Sequence, residues 1–359
     1  MKVKASVKFI ITLTGCIGVL LYLGNAYLQR DDTDLPMQRH YFNYRQRPLN
    51  SQQNSLNSKM RPLNSQQGPL NSQQGPQNSQ QGPQNSQQRP QNSQQGPLLT
   101  LFTTWTTTPE RYDVYNNTLR NWPSLQPSIN IIVFTNDVIP DKYKLLGWTI
   151  RPVKHQVNGH PVLKYMFLEA MEIQPMSKLY GFSNGDLLFT NSLIKTLHAV
   201  VNSPMLVNNT LMLVGQRMNT PDVSKEDAGS WKNITEASKR GTLMKNTLGI
   251  DYFITTPDYH WKYIPEVQVG QKLYDNWLVF DARRTGSDVI DVTRTLLAVH
   301  QDAPYPKHHG KMNHNRDLIT ENPRLLYNRG VVACSNLRTI KDGQNVRFKR
   351  PKLPRHCFG

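Results

Sequence analysis

The sequence predicts an α/β protein with a mostly parallel central sheet and helices on both faces, preceded by a single transmembrane helix and a disordered stalk. Three observations carry this reading. Residues 9–28 form an uncharged apolar run, residues 62–96 repeat a polar seven-residue unit, and residues 98–216 alternate short apolar runs with amphipathic ones. Strands and helices that alternate along a chain bury one another best as a parallel sheet covered on both sides.

The run FIITLTGCIGVLLYLGNAYL, residues 9–28, is long enough to cross the roughly 30 Å hydrocarbon layer of a bilayer. Lys2, Lys4 and Lys8 precede it, and Arg30, Asp31, Asp32 and Asp34 follow. Positive charge on the N-terminal side predicts a cytosolic tail, residues 1–8, with the rest of the chain across the membrane. The alternative is a cleaved signal peptide, with Gly24-Asn25-Ala26 as its small-residue cleavage region.

Residues 29–97 read as a stalk. From Pro62 to Gly96 the unit P-(L/Q)-N-S-Q-Q-(G/R) occurs five times in succession. The period of seven is that of a coiled coil, but there is no apolar seam. Each unit also carries a proline, which costs about 3 kcal/mol inside a helix. Pro, Gln, Asn, Ser and Gly bury too little surface to offset the entropy of ordering.

The domain expected over residues 98–359 begins with Leu98–Thr104, a β-branched and aromatic strand. Pro109 then opens a helix through Asn121. Ile129–Thr135 is a nearly continuous apolar run, as in a strand covered on both faces. Trp148–Val153 is a short strand, and Pro161–Ile173 has apolar residues at helical spacing. Lys178–Thr190 reads as strand, polar turn, strand; Leu193–Val201 as helix; Leu211–Gln216 as a buried strand.

Composition narrows the function. Apolar residues make up 37% of the chain and mean hydropathy is −0.58, so part of the length is not core. Six Trp, fifteen Tyr and eleven Phe exclude a wholly disordered chain. Three cysteines exclude a disulfide-rich scaffold and a CxxC…CxxC zinc array. Cys334 and Cys357 lie beyond the apolar run and are candidates to pair in an oxidising compartment. The net charge is +17, of which residues 1–97 supply ten Lys/Arg against three Asp/Glu. The folded part is therefore basic in its own right. Beyond a membrane that charge suits an anionic substrate or glycan rather than nucleic acid. Three N-x-S/T sequons, at Asn116, Asn208 and Asn233, fit the same side of the membrane.

Ligands in open α/β sheets bind beyond the carboxyl ends of the strands. The polar residues there are Thr103 and Thr104 after the first strand, Asn136 after the second, and Asn184-Gly185-Asp186 after the strand at 178–183. Asn-Gly-Asp is a turn former on any account. It is also a short acidic turn followed directly by apolar Leu187-Leu188-Phe189.

That arrangement resembles the DxD region of GT-A glycosyltransferases. The downstream blocks are similar to a nucleotide-diphospho-sugar transferase group. They comprise Asp251-Tyr-Phe-Ile-Thr-Thr, Trp261, Ile264-Pro265, Gly270, Tyr274-Asp275-Asn276-Trp277-Leu278, Val289–Thr293, Ala298-Val-His-Gln301, Tyr305 and Asn315. The resemblance covers residues 98–330 and implies a GT-A-like fold in a Golgi membrane protein of type II, with the catalytic domain lumenal. Its donor is a nucleotide-sugar and its acceptor a glycan or glycoconjugate. It further implies a divalent cation, Mn²⁺ or Mg²⁺, held by Asp186 and His300, with His308 as a rival ligand. The donor side takes in Thr103, Thr104, Asn136 and Asn184. Asp275 is then the catalytic proton acceptor, with Trp261, Asn276 and Trp277 on the acceptor side. Two positions depart from the pattern: Asn184 replaces the first acid of the triplet, and Gln271 stands where related sequences often carry Arg. These departures leave open a catalytically inactive lumenal carbohydrate-binding or adaptor protein. The bland readings stay open too: His300 as a hydrogen-bonded strand-end histidine, Asp275 as a helix N-cap, and both tryptophans as core.

Overall fold

The computed structural model describes residues 96–106, 108–244, 249–302 and 314–358. All of them belong to one compact unit, Ser86–Gly359. The expected tail, membrane span and nearly all of the repeat stalk lie outside the described residues. No described helix is long and apolar enough to cross a membrane.

Strand β1 (Leu99–Thr104) is buried along its whole length. Pro109 starts a 3-10 turn, Pro109–Arg111, that runs into α1 (Tyr112–Asn121). Next come β2 (Ile129–Phe134), the short α2 (Asp141–Lys144) and β3 (Trp148–Arg151). β4 (Gln156–Val157) and β5 (His160–Pro161) pair as a small hairpin before α3 (Leu163–Ile173). The sequence places the start of that helix at Pro161. Pro161 instead pairs with Gln156 and its carbonyl accepts from Val269, so the helix begins two residues later.

The chain continues through β6 (Tyr180–Ser183), β7 (Leu187–Phe189), α4 (Asn191–Val201) and β8 (Leu211–Val214). It proceeds through β9 (Met218–Thr220), α5 (Trp231–Ser238), β10 (Thr242–Leu243) and β11 (Tyr252–Thr255). Then follow α6 (Tyr274–Arg284), β12 (Asp288–Asp291), β13 (Ala298–Gln301), α7 (Asn315–Leu318) and α8 (Pro323–Arg329). A hairpin, β14 (Leu337–Asp342) and β15 (Asn345–Lys349), comes last.

Nine strands form one sheet in the order β15-β14-β12-β8-β11-β6-β1-β2-β3. β1 runs parallel to β2 and β6, β2 to β3, and β12 to both β8 and β14. β11 is inserted antiparallel between β6 and β8, and β15 is antiparallel to β14. β7 does not continue the large sheet. It turns away after β6 into a four-stranded sheet, β10-β9-β13-β7.

Side-chain alternation along β1 divides the core. Leu99 and Leu101 pack with Trp122 and with Leu119 of α1 and Leu193 and Leu197 of α4. Phe102 points the other way, among Leu163 and Phe167 of α3 and Leu278 of α6. Both faces of the sheet are thus covered, which is why its central strands read as continuous apolar runs. A disulfide joins Cys334 to Cys357 and fixes the C-terminal segment to the turn before β14.

Candidate functional site

The strand sequence runs outward in two directions from β1: through β2 and β3 on one side, and through β6, β8 and β12 on the other. The carboxyl ends of β1 and β6 therefore flank the topological switch point, where doubly wound sheets leave a crevice. The antiparallel β11 enters from that same end, so Asp251, just ahead of it, faces the exit of β6.

At this place the structure gathers Asp186, His300, Asn184 and Asp251 with two arginines, Arg111 and Arg217. Asp186 accepts from Arg111 Nη2 at 2.6 Å, in a pair whose side chains are 6% and 9% exposed. His300 Nε2 lies 3.3 Å from the same carboxylate oxygen, and His300 Nδ1 lies 3.0 Å from Asp302. Asn184 donates its backbone N–H to the Asp251 carbonyl and its side-chain amide to Asp251 Oδ1, each at 2.8 Å. The other Asp251 oxygen accepts from Arg217.

Several contacts hold the turn in place. Thr118 donates to the Gly185 carbonyl at 2.8 Å, and the Gln301 backbone N–H donates to the Asp186 carbonyl at 3.1 Å. Asn117 in turn donates to Gln301 Oε1 at 2.9 Å. Gly185 is required by packing: a Cβ there would sit 2.5 Å from the Trp105 ring. Trp105 stacks on Tyr115 at 4.7 Å, and the Arg111 guanidinium lies over the Tyr115 ring. β7 and β13 pair with His300 opposite Leu187, which sets Gln301 opposite Asp186 and brings His300 within one residue of it along the ladder.

The electrostatics follow from burial and crowding. Burial opposes the charge on Asp186, but the adjacent His300 and the charges of Arg111 and Arg217 outweigh it and hold the carboxyl below its usual value. Asp251 goes the other way: burial raises it, Arg217 counters, and the nearby Asp186 charge adds to the rise. For His300, burial favours the neutral ring, yet proximity to Asp186 raises it overall.

Asp186 Oδ1 and His300 Nε2 are buried polar atoms without a hydrogen-bond partner. A carboxylate oxygen and an imidazole nitrogen on facing strands are a donor set that fits Mn²⁺. Arg111 occupies the other oxygen of Asp186 and leaves this one available. The hydroxyls of Thr103 and Thr104, at the end of β1, are likewise buried and unpartnered. Asn136 is exposed at the end of β2, where its side-chain oxygen accepts from Val153 N–H at 3.0 Å. His308 and His309 lie outside the described residues.

Asp275 sits in the first turn of α6, two residues after Leu273, which takes the N-cap position with φ +79°. It is therefore inside the helix and is not its cap. Burial pushes its carboxyl up to about 7; backbone amides, that of Asn276 foremost, oppose this and the Asp251 charge adds to it.

The three expected acceptor-side residues are corrected by the structure. Trp261 is 1% exposed, stacks on Phe167 at 3.5 Å and donates to Thr255. Trp277 is in the second core and donates to Glu321 at 2.9 Å. Asn276 is buried and donates to the Gly330 carbonyl at 2.8 Å. Neither tryptophan offers a face to a sugar, because helix packing has taken both rings. Of the sequons, Asn208 and Asn233 are exposed, whereas Asn116 is half-buried and accepts from the Tyr143 hydroxyl.

Arg111 and Arg217 were not among the residues singled out from the sequence. Their partners lie 75 and 34 residues away, so no local pattern marks them. The nearest signal is position: each follows a strand end, Arg111 after β1 and Arg217 after β8.

No family model matches the chain, and no curated protein matches it. Among solved structures, one described as "Crystal Structure of a Mycobacterial Protein" aligns with 71% of this chain and 84% of its own, at 10% identity and a TM-score of 0.32. A likeness at that level carries no argument.

Proposed function

We propose that the chain is a nucleotide-sugar-dependent glycosyltransferase of GT-A-like fold, anchored in the Golgi membrane with residues 98–359 lumenal. The observation that carries this reading is the buried pair Asp186 and His300 beyond the switch point of the sheet, with His300 Nε2 at 3.3 Å from Asp186 Oδ2 and Asp186 Oδ1 left without a hydrogen-bond partner. These two residues would hold Mn²⁺ or Mg²⁺, which as a Lewis acid neutralises charge developing on a diphosphate leaving group.

The chain's own residues supply the rest. His300 and Arg111 together favour the ionised form of Asp186. Arg217 adds positive charge next to Asp251. Thr103 and Thr104 provide hydroxyls for the donor at the end of β1. Asp275, with its carboxyl near 7, accepts the proton of a glycan or glycoconjugate hydroxyl; a base is most effective when its pKa lies near the working pH.

A second reading draws on the two ion pairs. Arg111 with Asp186 and Arg217 with Asp251 already balance the acidic charge, as expected of a lumenal carbohydrate-binding or adaptor protein that turns nothing over. One experiment separates the two. The full-length chain is incubated with a panel of nucleotide-sugars and Mn²⁺, and release of nucleoside diphosphate is followed. Release that is lost on chelation and in Asp186→Ala supports the transferase. A chain that hydrolyses no donor, yet binds glycans, refutes it.

A further inference from the structure

The C-terminal segment carries a concentration of charge that the candidate site does not use. β15 forms the outer edge of the large sheet, separated from β6 by β14, β12, β8 and β11. Its side chains alternate. Phe348 turns inward and packs against the first core, while Arg347 and Lys349 are exposed on the opposite face. Beyond the strand, Arg350, Lys352 and Arg355 are exposed as well. Arg347 is paired with Asp342 at 2.5 Å. Among the described residues, no carboxylate pairs with Lys349, Arg350, Lys352 or Arg355. Four unpaired cations within seven residues repel one another, an arrangement that by itself disfavours the fold.

The segment is also held in place. It enters from a strand paired along its length with β14 and ends at the Cys334–Cys357 disulfide. Arg283 donates to the Cys357 carbonyl at 3.2 Å, and Pro351 and Pro354 stiffen the stretch between. A pre-ordered row of cations binds a polyanion with little further loss of entropy. Residues 347–355 span at most about 30 Å. That is a narrow linear strip, and the exposed Phe358 ring near it lies past the disulfide and is not the series of rings on which successive nucleobases stack. It also lacks an apolar helical face of the kind that lies in a lipid interface.

We propose that this strip is a binding surface for an anionic polysaccharide, whose sulfate or carboxylate groups along a linear chain pair with Lys349, Arg350, Lys352 and Arg355. The surface is independent of the donor site and of the reading given to it.

Heparin, a sulfated polysaccharide, is the probe, with binding to the full-length chain measured at 0.15 M and 0.5 M salt. Wild type is expected to bind at the lower concentration and to weaken steeply at the higher. Replacing Lys349, Arg350, Lys352 and Arg355 together by Gln is expected to weaken binding about 10-fold or more and to flatten the salt dependence. A charge-matched control, Lys178, Lys195, Lys225 and Lys232 replaced by Gln, keeps the affinity. Acetylation of Lys349 and Lys352 in the wild-type chain, with and without heparin, reads the same surface without mutation; protection by heparin is expected. Absence of heparin binding, equal loss in both quadruple variants, or unprotected lysines would overturn the proposal. So would binding of poly(U) or of phosphatidylserine vesicles through the same residues as tightly as heparin.

Discussion

The side-chain amide of Asn184 donates to Asp251 Oδ1 at 2.8 Å, and its backbone N–H donates to the Asp251 carbonyl. The position where the resembling motif has an acid thus faces an acid that arrives on β11. A carboxylate at 184 would oppose a carboxylate at 251, whereas an amide bridges to it.

Asn184→Asp is accordingly expected to lower the melting temperature at pH 7 instead of restoring a fuller motif. The lost hydrogen bond and the repulsion together cost roughly 1–3 kcal/mol. One of the two carboxyls then holds a proton to higher pH in the fold than in the unfolded chain, so the deficit shrinks as pH falls. A variant as stable as wild type at pH 7 would contradict this geometry.

Arg111 and Asp186 form a buried pair, and removing one partner strands the other. Arg111→Ala is expected to destabilise by about 3–5 kcal/mol. Replacing both, Arg111→Met with Asp186→Leu, recovers much of that loss, because the desolvated charges disappear together. Denaturant unfolding of Arg111→Met, Asp186→Leu and the double variant tests the coupling.

Asp275 gives a pH signature. Its carboxyl titrates near 7 in the fold and near ~3.9 unfolded. Between those values the folded state binds more protons, so its contribution to stability is present at low pH and is lost as pH rises toward 7. Asp275→Asn removes that slope from the unfolding free energy. If Asp275 is also the proton acceptor, turnover falls about 10²–10⁴-fold while donor affinity is retained. Loss of the slope without loss of turnover would leave Asp275 a structural residue.

Trp261 is expected to affect folding alone. Trp261→Ala empties the space beside Phe167 and should cost about 3–5 kcal/mol. Trp261→Phe keeps most of the packing and loses the hydrogen bond to Thr255. Its melting temperature falls modestly, and acceptor KM stays at the wild-type value. A raised KM in a stable Trp261→Phe protein would return the ring to the acceptor side.

The strands β1, β2 and β8 were legible because burial on both faces leaves continuous apolar runs. α1 was legible from the proline ahead of it, and α3 from apolar residues at helical spacing. The direction of β11 was not, since Tyr-Phe-Ile-Thr has the same apolar character whichever way it runs. Nor was the departure of β7, whose three apolar residues fit either sheet. The β14–β15 hairpin does carry a local signal, Asp342-Gly343 between two alternating runs, with Gly343 at φ +57°. In the site, Asp186 was legible as an acid at a strand end. Arg111 was not, because only the closed fold brings it to that acid. Trp261 and Trp277 misled for a simpler reason: an indole with one polar atom reads alike in sequence whether that N–H meets Thr255, Glu321 or a sugar hydroxyl.

The pairing of β7 with β13 sets His300 opposite Leu187, one residue from Asp186. In a strand, sidedness alternates with every residue. Deleting Ala298 or Val299 would therefore turn the imidazole to the far side of the small sheet, even though His300 and Asp186 are both retained. The site is thus more vulnerable to changes of length than of chemistry. In a library that combines substitutions with single-codon deletions, Ala298 and Val299 should accept other apolar residues, while a deletion at either position abolishes whatever the site does.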